Sequence, residues 1–308
     1  MSFSKETKEE LCKAGFLSDE QKKAAAYGMV LFSRVFSASA LTFTTESRHT
    51  AMLYSETISA MTSSIIELSV KLTRRGGENR LFTLSVPDTS DCEKIFDFFG
   101  HSVNSPNLRI NRANIDGEEC LSYFLRGVFL VCGSVTDPEK DYHLEFVVPH
   151  KNLASDLERI ITEVDEINTE PNIVKRKGSY IVYIKGSNNI EDMLTYMGAP
   201  MSSLNIIQNK MVKSVRNRIN RRVNSETANS NKTAAAAAGQ LYAIKIIKEH
   251  KGLDYLPEEL RELAQLRLEN PEYNLRELGA ALKEPISRSG VNHRLQRIIA
   301  ISKELSGK

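Results

Sequence analysis

The chain has 308 residues, of which 41% are hydrophobic and 26% are charged, a composition typical of a globular protein with about two domains. No apolar run reaches the ~20 residues that cross a bilayer, and the charged N-terminus lacks a signal-peptide core, so we expect a cytoplasmic protein without membrane contacts. The four cysteines, Cys12, Cys92, Cys120 and Cys132, have neither CxxC nor zinc-ligand spacing, which predicts reduced thiols and no metal or other cofactor.

The formal net charge of +2 hides an asymmetry between two parts of the chain. Residues 1–200 carry 22 Lys and Arg against 28 Asp and Glu, a net of −6, whereas residues 201–308 carry 19 against 11, a net of +8. Because polyanions bind to local rather than global positive charge, we expect double-stranded DNA as a partner of the second part.

The first part contains one pattern of elements twice. In the first copy, apolar spacing predicts helices over about 19–35, 48–66 and 89–99. Alternating apolar and polar residues predict strands at Ala40–Thr45, 68–74 and 80–86, the last two joined by a turn at Gly76–Asn79.

The second copy repeats this order, with helices over about 118–132, 151–166 and 189–198 and strands at Tyr142–Val148, 171–177 and 179–185. Each copy follows the order αββαββα, with its first strand the least clearly marked. The predicted fold class is therefore α+β, a pseudo-two-fold domain built from two such units.

One helix of each copy has a glycine at an equivalent position. The runs Ala26–Arg34 and Leu125–Gly133 are apolar and carry Gly28 and Gly127 at their third positions. They resemble the paired helices of LAGLIDADG homing endonucleases, which pack face to face through small residues and each end with one acidic metal ligand. The resemblance implies close packing of the two helices at Gly28 and Gly127.

The acidic positions implied by this resemblance are occupied by Ser33 and Cys132. A hydroxyl or a thiol cannot replace the carboxylate oxygens that hold Mg²⁺ at a scissile phosphate, so we expect no catalysis and no metal. One alternative stays open, a metal-dependent nuclease with displaced ligands, for which Glu119 and Asp137 are the best candidates.

From residue 201 onwards the pattern is helical throughout. A helix over about 206–223 has an apolar stripe, and mostly opposite to it lie six basic residues predicted to contact DNA phosphates, Lys210, Lys213, Arg216, Arg218, Arg221 and Arg222. The polar stretch Asn224–Thr233 is expected to interrupt or end this helix, and Ala234–Ala238 to restart one that continues to about 250.

Three further helices are predicted over about 257–269, 274–283 and 287–305. A short helix, a brief turn and a longer basic helix form the pattern of a helix-turn-helix. The outer face of the third helix is predicted to read DNA bases through Ser289, Asn292, His293, Gln296 and Arg297. Phosphate contacts are predicted for Ser287, Arg288 and Arg294.

Five phrases of the sequence are distinctive in combination, namely Phe124–Lys140, Asn220–Asn229, Asn231–Thr233, Leu256–Arg261 and Ile286–Leu295. Together they resemble the WhiA family of bacterial proteins, and the resemblance covers essentially the whole chain. It implies a degenerate LAGLIDADG domain joined to a C-terminal helix-turn-helix. It also implies DNA binding and roles in cell division, chromosome segregation and, in spore formers, sporulation.

The sequence therefore predicts a LAGLIDADG-like domain over 1–200, a basic connecting helix over 201–224 and a helix-turn-helix DNA-binding domain over 225–308. We interpret the protein as a non-catalytic, sequence-specific DNA-binding regulator associated with the nucleoid. Its first domain is expected to serve protein contact or self-association. A second alternative is an adaptor that binds a division protein and contacts DNA only weakly.

Overall fold

The computed structural model describes residues 2–73, 79–104, 107–117, 119–167 and 169–307. The chain forms two compact units, residues 1–213 and residues 214–308, and each has a hydrophobic core of its own. In the described part of the chain, no helix combines the length and the apolar character needed to span a membrane.

The first unit contains the predicted repeat. Its helices are α1 (Phe3–Lys13), α2 (Asp19–Leu31), α3 (Arg48–Thr62), α4 (Thr89–Phe98), α5 (Cys120–Cys132), α6 (Lys151–Thr162) and α7 (Ser187–Met197). Its strands are β1 (Val35–Ser37), β2 (Ala40–Thr45), β3 (Glu67–Thr73), β4 (Asn79–Ser85), β5 (Gly133–Val135), β6 (His143–Val148), β7 (Asn172–Arg176) and β8 (Ser179–Lys185). From α2 to α4 and from α5 to α7 the order is αββαββα, which confirms the α+β class. Of the turn predicted at Gly76–Asn79, residues 76–78 lie outside the described residues, and Asn79 begins β4.

Each repeat forms a four-stranded antiparallel sheet within the described residues, with strand orders β1-β2-β4-β3 and β5-β6-β8-β7. The registers of the two sheets correspond, since Phe43 pairs with Leu84 in the first sheet and Phe146 pairs with Val182 in the second. All four side chains are buried. Alternate residues of a strand face opposite sides of a sheet, and in both sheets the apolar residues of the central strands face the core. Leu68, Val70 and Leu72 of the edge strand β3 are exposed instead.

Helices α2 and α5 pack against each other in the middle of this core. A Cβ atom built on Gly28 would lie 2.4 Å from the carbonyl oxygen of Phe124, and one built on Gly127 would lie 2.2 Å from that of Ala25. Both distances are too short for any side chain. The two helix backbones are therefore in direct contact at the glycines.

Helix α1 is an element that the sequence patterns do not predict. Its buried residues are Phe3, Thr7 and Leu11. A stripe with threonine at its centre, on an otherwise charged helix, gives a weak periodic signal. The Glu10 carboxylate accepts hydrogen bonds from the backbone N–H groups of Met201, at 2.6 Å, and Ser202, at 2.9 Å. Helix α1 thus caps the beginning of the long helix that starts at Pro200.

That long helix, α8 (Pro200–Lys251), begins in the first unit and continues into the second. The expected interruption at Asn224–Thr233 is wrong, because the helix runs through this stretch without a break. The stretch contains no proline or glycine, and its Ser, Asn and Thr residues each cost less than about 0.7 kcal/mol in a helix. The ion pair between Arg222 and Glu226, at 3.0 Å, adds i,i+4 support within it.

The second unit is completed by α9 (Glu258–Glu269), α10 (Leu275–Ala281) and α11 (Arg288–Leu305), in agreement with the three predicted helices. Its core is built from one apolar side of each helix, for example Ile244 of α8, Leu260 of α9, Leu278 of α10 and Leu295 of α11. The unit is therefore all helical in its described residues, with α10 and α11 joined by a short turn.

Candidate functional site

Gly279 and Ser287 determine the geometry of the turn between α10 and α11. The backbone N–H of Ile286 donates to the carbonyl oxygen of Gly279 at 3.1 Å. A Cβ atom on Gly279 would lie 2.5 Å from the Ile286 carbonyl oxygen, so the turn can return this closely only over a glycine. Ser287 then caps α11, since its hydroxyl accepts from the N–H of Gly290 at 3.2 Å.

Helix α11 has a buried face and a polar face, as its periodicity predicts. Val291, Leu295 and Ile298 are fully buried. The residues predicted to read bases are all exposed, namely Ser289, Asn292, His293, Gln296 and Arg297. Of the predicted phosphate contacts on this helix, Ser287 and Arg288 are exposed and Arg294 is partly buried.

A groove of about 380 Å³ lies beside α11, between the first turn of α10 and the alanine-rich part of α8. Its α11 wall consists of Arg288, Asn292 and Gln296, which follow one another at four-residue steps. Lys232 and Arg276 also line the groove, and the described lining residues include no Asp or Glu. The groove is a positively charged concavity next to the exposed face of α11.

Sequence reasoning missed both Lys232 and Arg276. Lys232 lies in the stretch where an interruption of the helix was expected, so no face could be assigned to it. Arg276 had a readable signal, because Asn274 is a helix cap whose side chain accepts from the N–H of Arg276 at 2.9 Å. A cation in the first turn of the first helix of a helix-turn-helix is suited to a phosphate contact through its side chain.

The opposite edge of α11 contacts α9 through one carboxylate. Glu259 pairs with Arg297 at 2.8 Å and with Arg294 at 3.3 Å. Neither guanidinium is therefore a free cation, although both lie on the helix that carries the predicted base-reading face. Contact with DNA would require these arginines to exchange or share the carboxylate.

The basic residues predicted on the first half of α8 fall into two groups. Lys210 is hydrogen-bonded to Asn188 and lies 4.0 Å from a carboxylate oxygen of Glu191, and the Lys213 ammonium lies 4.6 Å from the centre of the Tyr142 ring. These two lysines are held against the first unit. Arg216, Arg218 and Arg221 are exposed, and Arg222 is exposed while paired with Glu226.

The position after α2 at which the sequence resemblance implies an acid holds a buried serine. The Ser33 hydroxyl donates to the Met29 carbonyl oxygen at 2.8 Å and lies 3.0 Å from the Tyr54 hydroxyl. Burial raises the pKa of Tyr54, so this partner is an uncharged phenol. The serine is thus used within the core and presents no metal-binding oxygen.

The equivalent position on α5 holds an uncharged thiol beside a lysine. Burial raises the pKa of Cys132 to about 12, so the thiol stays protonated at neutral pH. Lys8 of α1 lies close enough to interact electrostatically with this thiol, and burial lowers the pKa of its ammonium to about 8. A lysine ammonium beside a neutral thiol repels a metal cation and offers it no negative charge.

The displaced ligands proposed for a nuclease are not brought together. Glu119 precedes α5 and accepts a hydrogen bond from the Gln21 side chain at 2.9 Å. Asp137 follows β5 beyond the other end of α5, where its side chain accepts from the N–H of Glu139 at 2.9 Å. A helix of 13 residues separates them by about 20 Å along its axis. Within the described residues no cluster of three His, Cys, Asp or Glu is placed to hold a metal ion.

Comparison with known proteins assigns both units. Residues 121–216 match the WhiA LAGLIDADG-like domain, and residues 219–302 match the WhiA C-terminal HTH domain. A "probable cell division protein WhiA" of Thermoanaerobacter pseudethanolicus is 38% identical and covers 99% of this chain and 98% of its own. One of Clostridium perfringens is 36% identical with the same coverage. The crystal structure of full-length DUF199/WhiA from Thermatoga maritima is similar at a TM-score of 0.56 and 26% identity, over 99% of both chains. The chain therefore belongs to the WhiA family.

Proposed function

We propose that this protein is a non-catalytic, sequence-specific DNA-binding regulator that acts in cell division. The observation that carries the proposal is the exposed polar face of α11, which follows a capped short helix and a tight turn in helix-turn-helix order. The role in cell division is supported by the name of the relatives, "probable cell division protein". Roles in chromosome segregation and sporulation, and a cytoplasmic, nucleoid-associated location, extend the same proposal.

In this proposal the first half of α11 enters the major groove. Its amides, Asn292 and Gln296, are suited to the paired donor and acceptor of adenine, and Ser289 and His293 supply further hydrogen-bonding groups. Arg297 joins the base contacts only by releasing Glu259, to which it is bound at 2.8 Å. We therefore rank Arg297 behind the other four in its contribution to specificity.

Phosphate contacts are assigned to both sides of this face. Arg276 of α10 lies on one side with Arg288 and Lys232, around the charged groove. The free N–H groups at the N-terminus of α11, next to Ser287, can bind a further phosphate oxygen. Among the predicted phosphate contacts on α8, the exposed Arg216, Arg218 and Arg221 are stronger candidates than Lys210 and Lys213, which have partners in the first unit.

The first unit is proposed to be a non-catalytic scaffold for protein contact or self-association. Neither position at which the resemblance implies an acid is charged, since Ser33 is buried and hydrogen-bonded and the partly buried Cys132 has a raised pKa. The net charge of −6 over residues 1–200 opposes binding of a duplex along this unit.

The proposal is tested by selecting binding sites from a random DNA pool and titrating the recovered site with variants. Asn292→Ala and His293→Ala should each weaken specific binding by about 1–3 kcal/mol. Arg276→Ala should weaken all sequences alike and reduce the salt slope by about one unit. Lys245→Ala, an exposed lysine of α8 outside the groove, is the matched control and should bind like the parent.

Two outcomes would contradict the proposal. Unchanged specific binding by both α11 variants would remove the assigned face. A protein partner retained at high salt, in the absence of any selected DNA site, would favour the adaptor alternative.

A further inference from the structure

We propose that the first unit binds a phosphate-bearing small molecule of mononucleotide size in a cavity beside β1. The cavity has a volume of about 690 Å³ and opens between the end of α2, the segment that follows α4 and the beginning of α6. None of its residues takes part in the proposed contacts with DNA. Its lining includes Arg34, Phe36, His101, Asn107, His150 and Lys151.

The charge of the lining points to an anionic ligand. Arg34, which directly precedes β1, and Lys151, the first residue of α6, line the cavity from different parts of the chain, and His101 and His150 add two imidazoles. The described lining contains no Asp or Glu, although residues 1–200 carry a net charge of −6. Neither Arg34 nor Lys151 has an ion pair or a side-chain hydrogen bond with the described residues. Clustered cations without counter-charges repel one another, and a bound anion would relieve this repulsion.

Helix α6 adds backbone donors at the same wall. It begins at Lys151 with no acidic residue in its first turn, and its cap residue, His150, makes no side-chain capping hydrogen bond. The first N–H groups of a helix have no partner within the helix. Together with two cationic side chains, they are suited to the oxygens of a phosphate.

The cavity walls are fixed by hydrogen bonds, so the site is formed without the ligand. Arg109 donates to both carboxylate oxygens of Asp156 on α6, at 2.8 and 2.6 Å, and the N–H of Ile110 donates to the same carboxylate at 3.1 Å. The N–H of Asn111 donates to the Tyr27 hydroxyl of α2 at 2.6 Å. The segment that contains Asn107 is thus fastened to two helices on either side of the cavity.

His101 is prepared as a hydrogen-bond donor. Burial lowers its pKa, so the ring is neutral at neutral pH, and burial raises the pKa of Tyr27, so the phenol keeps its proton. The Tyr27 oxygen already accepts from Asn111, and its own proton is free to bond His101 Nε2 at 3.2 Å. With Nε2 as the acceptor, the ring proton lies on Nδ1 and can be donated to a ligand.

Size and apolar surface favour a nucleotide over free phosphate. A volume of about 690 Å³ falls in the range of sites for drug-sized ligands and exceeds what one phosphate group fills. Phe36 and Leu108 supply apolar wall, and the ring of Phe36 packs edge-on against His101 at 5.5 Å. Amide groups of Asn107 and Asn152 can pair with the polar edge of a base.

The test is calorimetric titration of the full chain with AMP, GMP, CMP and UMP and their triphosphates, and with adenosine and inorganic phosphate as partial ligands. At least one nucleotide should bind with one-to-one stoichiometry. Arg34→Ala and Lys151→Ala should each weaken that binding about tenfold or more, because each removes a charge-assisted contact. Arg159→Ala and Lys140→Ala remove exposed cations of the same unit outside the cavity and should leave it unchanged.

The outcomes divide clearly. The proposal is supported if the nucleotide binds more tightly than adenosine or inorganic phosphate and if only Arg34→Ala and Lys151→Ala lose this binding. Absence of binding by every nucleotide at millimolar concentration would overturn it, as would equal binding of nucleoside and nucleotide. Binding that is the same in the cavity and control variants, or that requires polymeric DNA, would overturn it as well. Because the proposed base-reading face and the charged groove lie in the second unit, none of these outcomes decides the proposed function.

Discussion

The two residues at the positions where the sequence resemblance implies acids are fixed by different physical effects. Ser33 is fixed by hydrogen bonds to Met29 and Tyr54, whereas Cys132 is kept neutral by burial. A carboxylate in place of Ser33 would face the Met29 carbonyl oxygen without a proton to donate. Restoring acids at these positions is therefore expected to destabilise the first unit rather than to create a metal site.

Lys8 should make the stability of the first unit depend on pH. Its pKa falls from 10.5 to about 8 on folding, so the cost of burying its charge is fully present below pH 8 and is lost as the pH rises towards 10.5. Lys8→Met should raise the free energy of unfolding by about 1–3 kcal/mol at pH 7. Denaturant unfolding followed by circular dichroism at several pH values measures the difference. A difference that does not shrink between pH 8 and 10.5 would contradict the assignment.

Glu259 should restrain DNA binding by holding two arginines of α11. Glu259→Gln releases Arg294 and Arg297, and we expect tighter binding with a salt slope that steepens by up to about 0.9 for each new phosphate contact. Glu258→Gln is the matched control, because it removes the same charge from the same helix and Glu258 pairs with no arginine among the described residues. Equal effects of the two substitutions would show that only the net charge matters.

Sequence reasoning could place individual side chains on one face of a helix but could not identify their partners on other helices. The polar face of α11 follows from helical periodicity alone, so its exposed residues were predictable. The bond between Glu259 and Arg297 joins residues 38 positions apart and depends on how α9 packs on α11. The same limit applies to Ser33, whose partner Tyr54 lies on another helix.

The helix pair α2 and α5 should be intolerant of any side chain at its crossing. Gly127→Ala places a methyl group 2.2 Å from a backbone oxygen that cannot move alone, so we expect destabilisation of the first unit by about 1–3 kcal/mol or more. Gly239→Ala is the control, because a Cβ atom on this α8 glycine meets nothing within 4 Å. It should stabilise its helix by about 0.5–1 kcal/mol. If the Gly127→Ala protein unfolds at the same temperature as the parent, the inferred close crossing of α2 and α5 is contradicted.

Sequence patterns predict elements well where one face is apolar and poorly where the packing partner decides. In both αββαββα repeats the helices and the last three strands carry clear helical spacing or alternation and were predictable, whereas the three-residue first strands, β1 and β5, were only weakly marked. Helix α1 was not, because it buries only three residues and is ordered by contacts such as that of Glu10 with Ser202. The continuity of α8 was also missed, because the polar stretch Asn224–Thr233 was expected to interrupt the helix although it contains neither Pro nor Gly.

For the whole molecule, charge and core divide in the same way. Residues 1–213 carry 24 Lys and Arg against 28 Asp and Glu, and residues 214–308 carry 17 against 11. Each unit buries its own apolar side chains, including Ile206 in the first and Ile244 in the second. The two units should therefore be separable by dividing the chain within α8, and the stability of the N-terminal fragment should depend on where the chain is divided.

Residues 1–213 should form a more stable fragment than residues 1–200. The longer fragment keeps the buried Ile206 and the bonds from Met201 and Ser202 to Glu10, whose loss we expect to cost about 2 kcal/mol or more.

Residues 214–308 should fold alone and bind the selected DNA site, because they contain all of α11 and its groove. They should bind with nearly the salt slope of the full chain, since Lys210 and Lys213 are already engaged elsewhere. Circular dichroism melting and DNA titration of the three fragments decide the matter. Equal stability of the two N-terminal fragments would remove the capping role of Glu10, and specific DNA binding by residues 1–213 would refute the division of labour between the units.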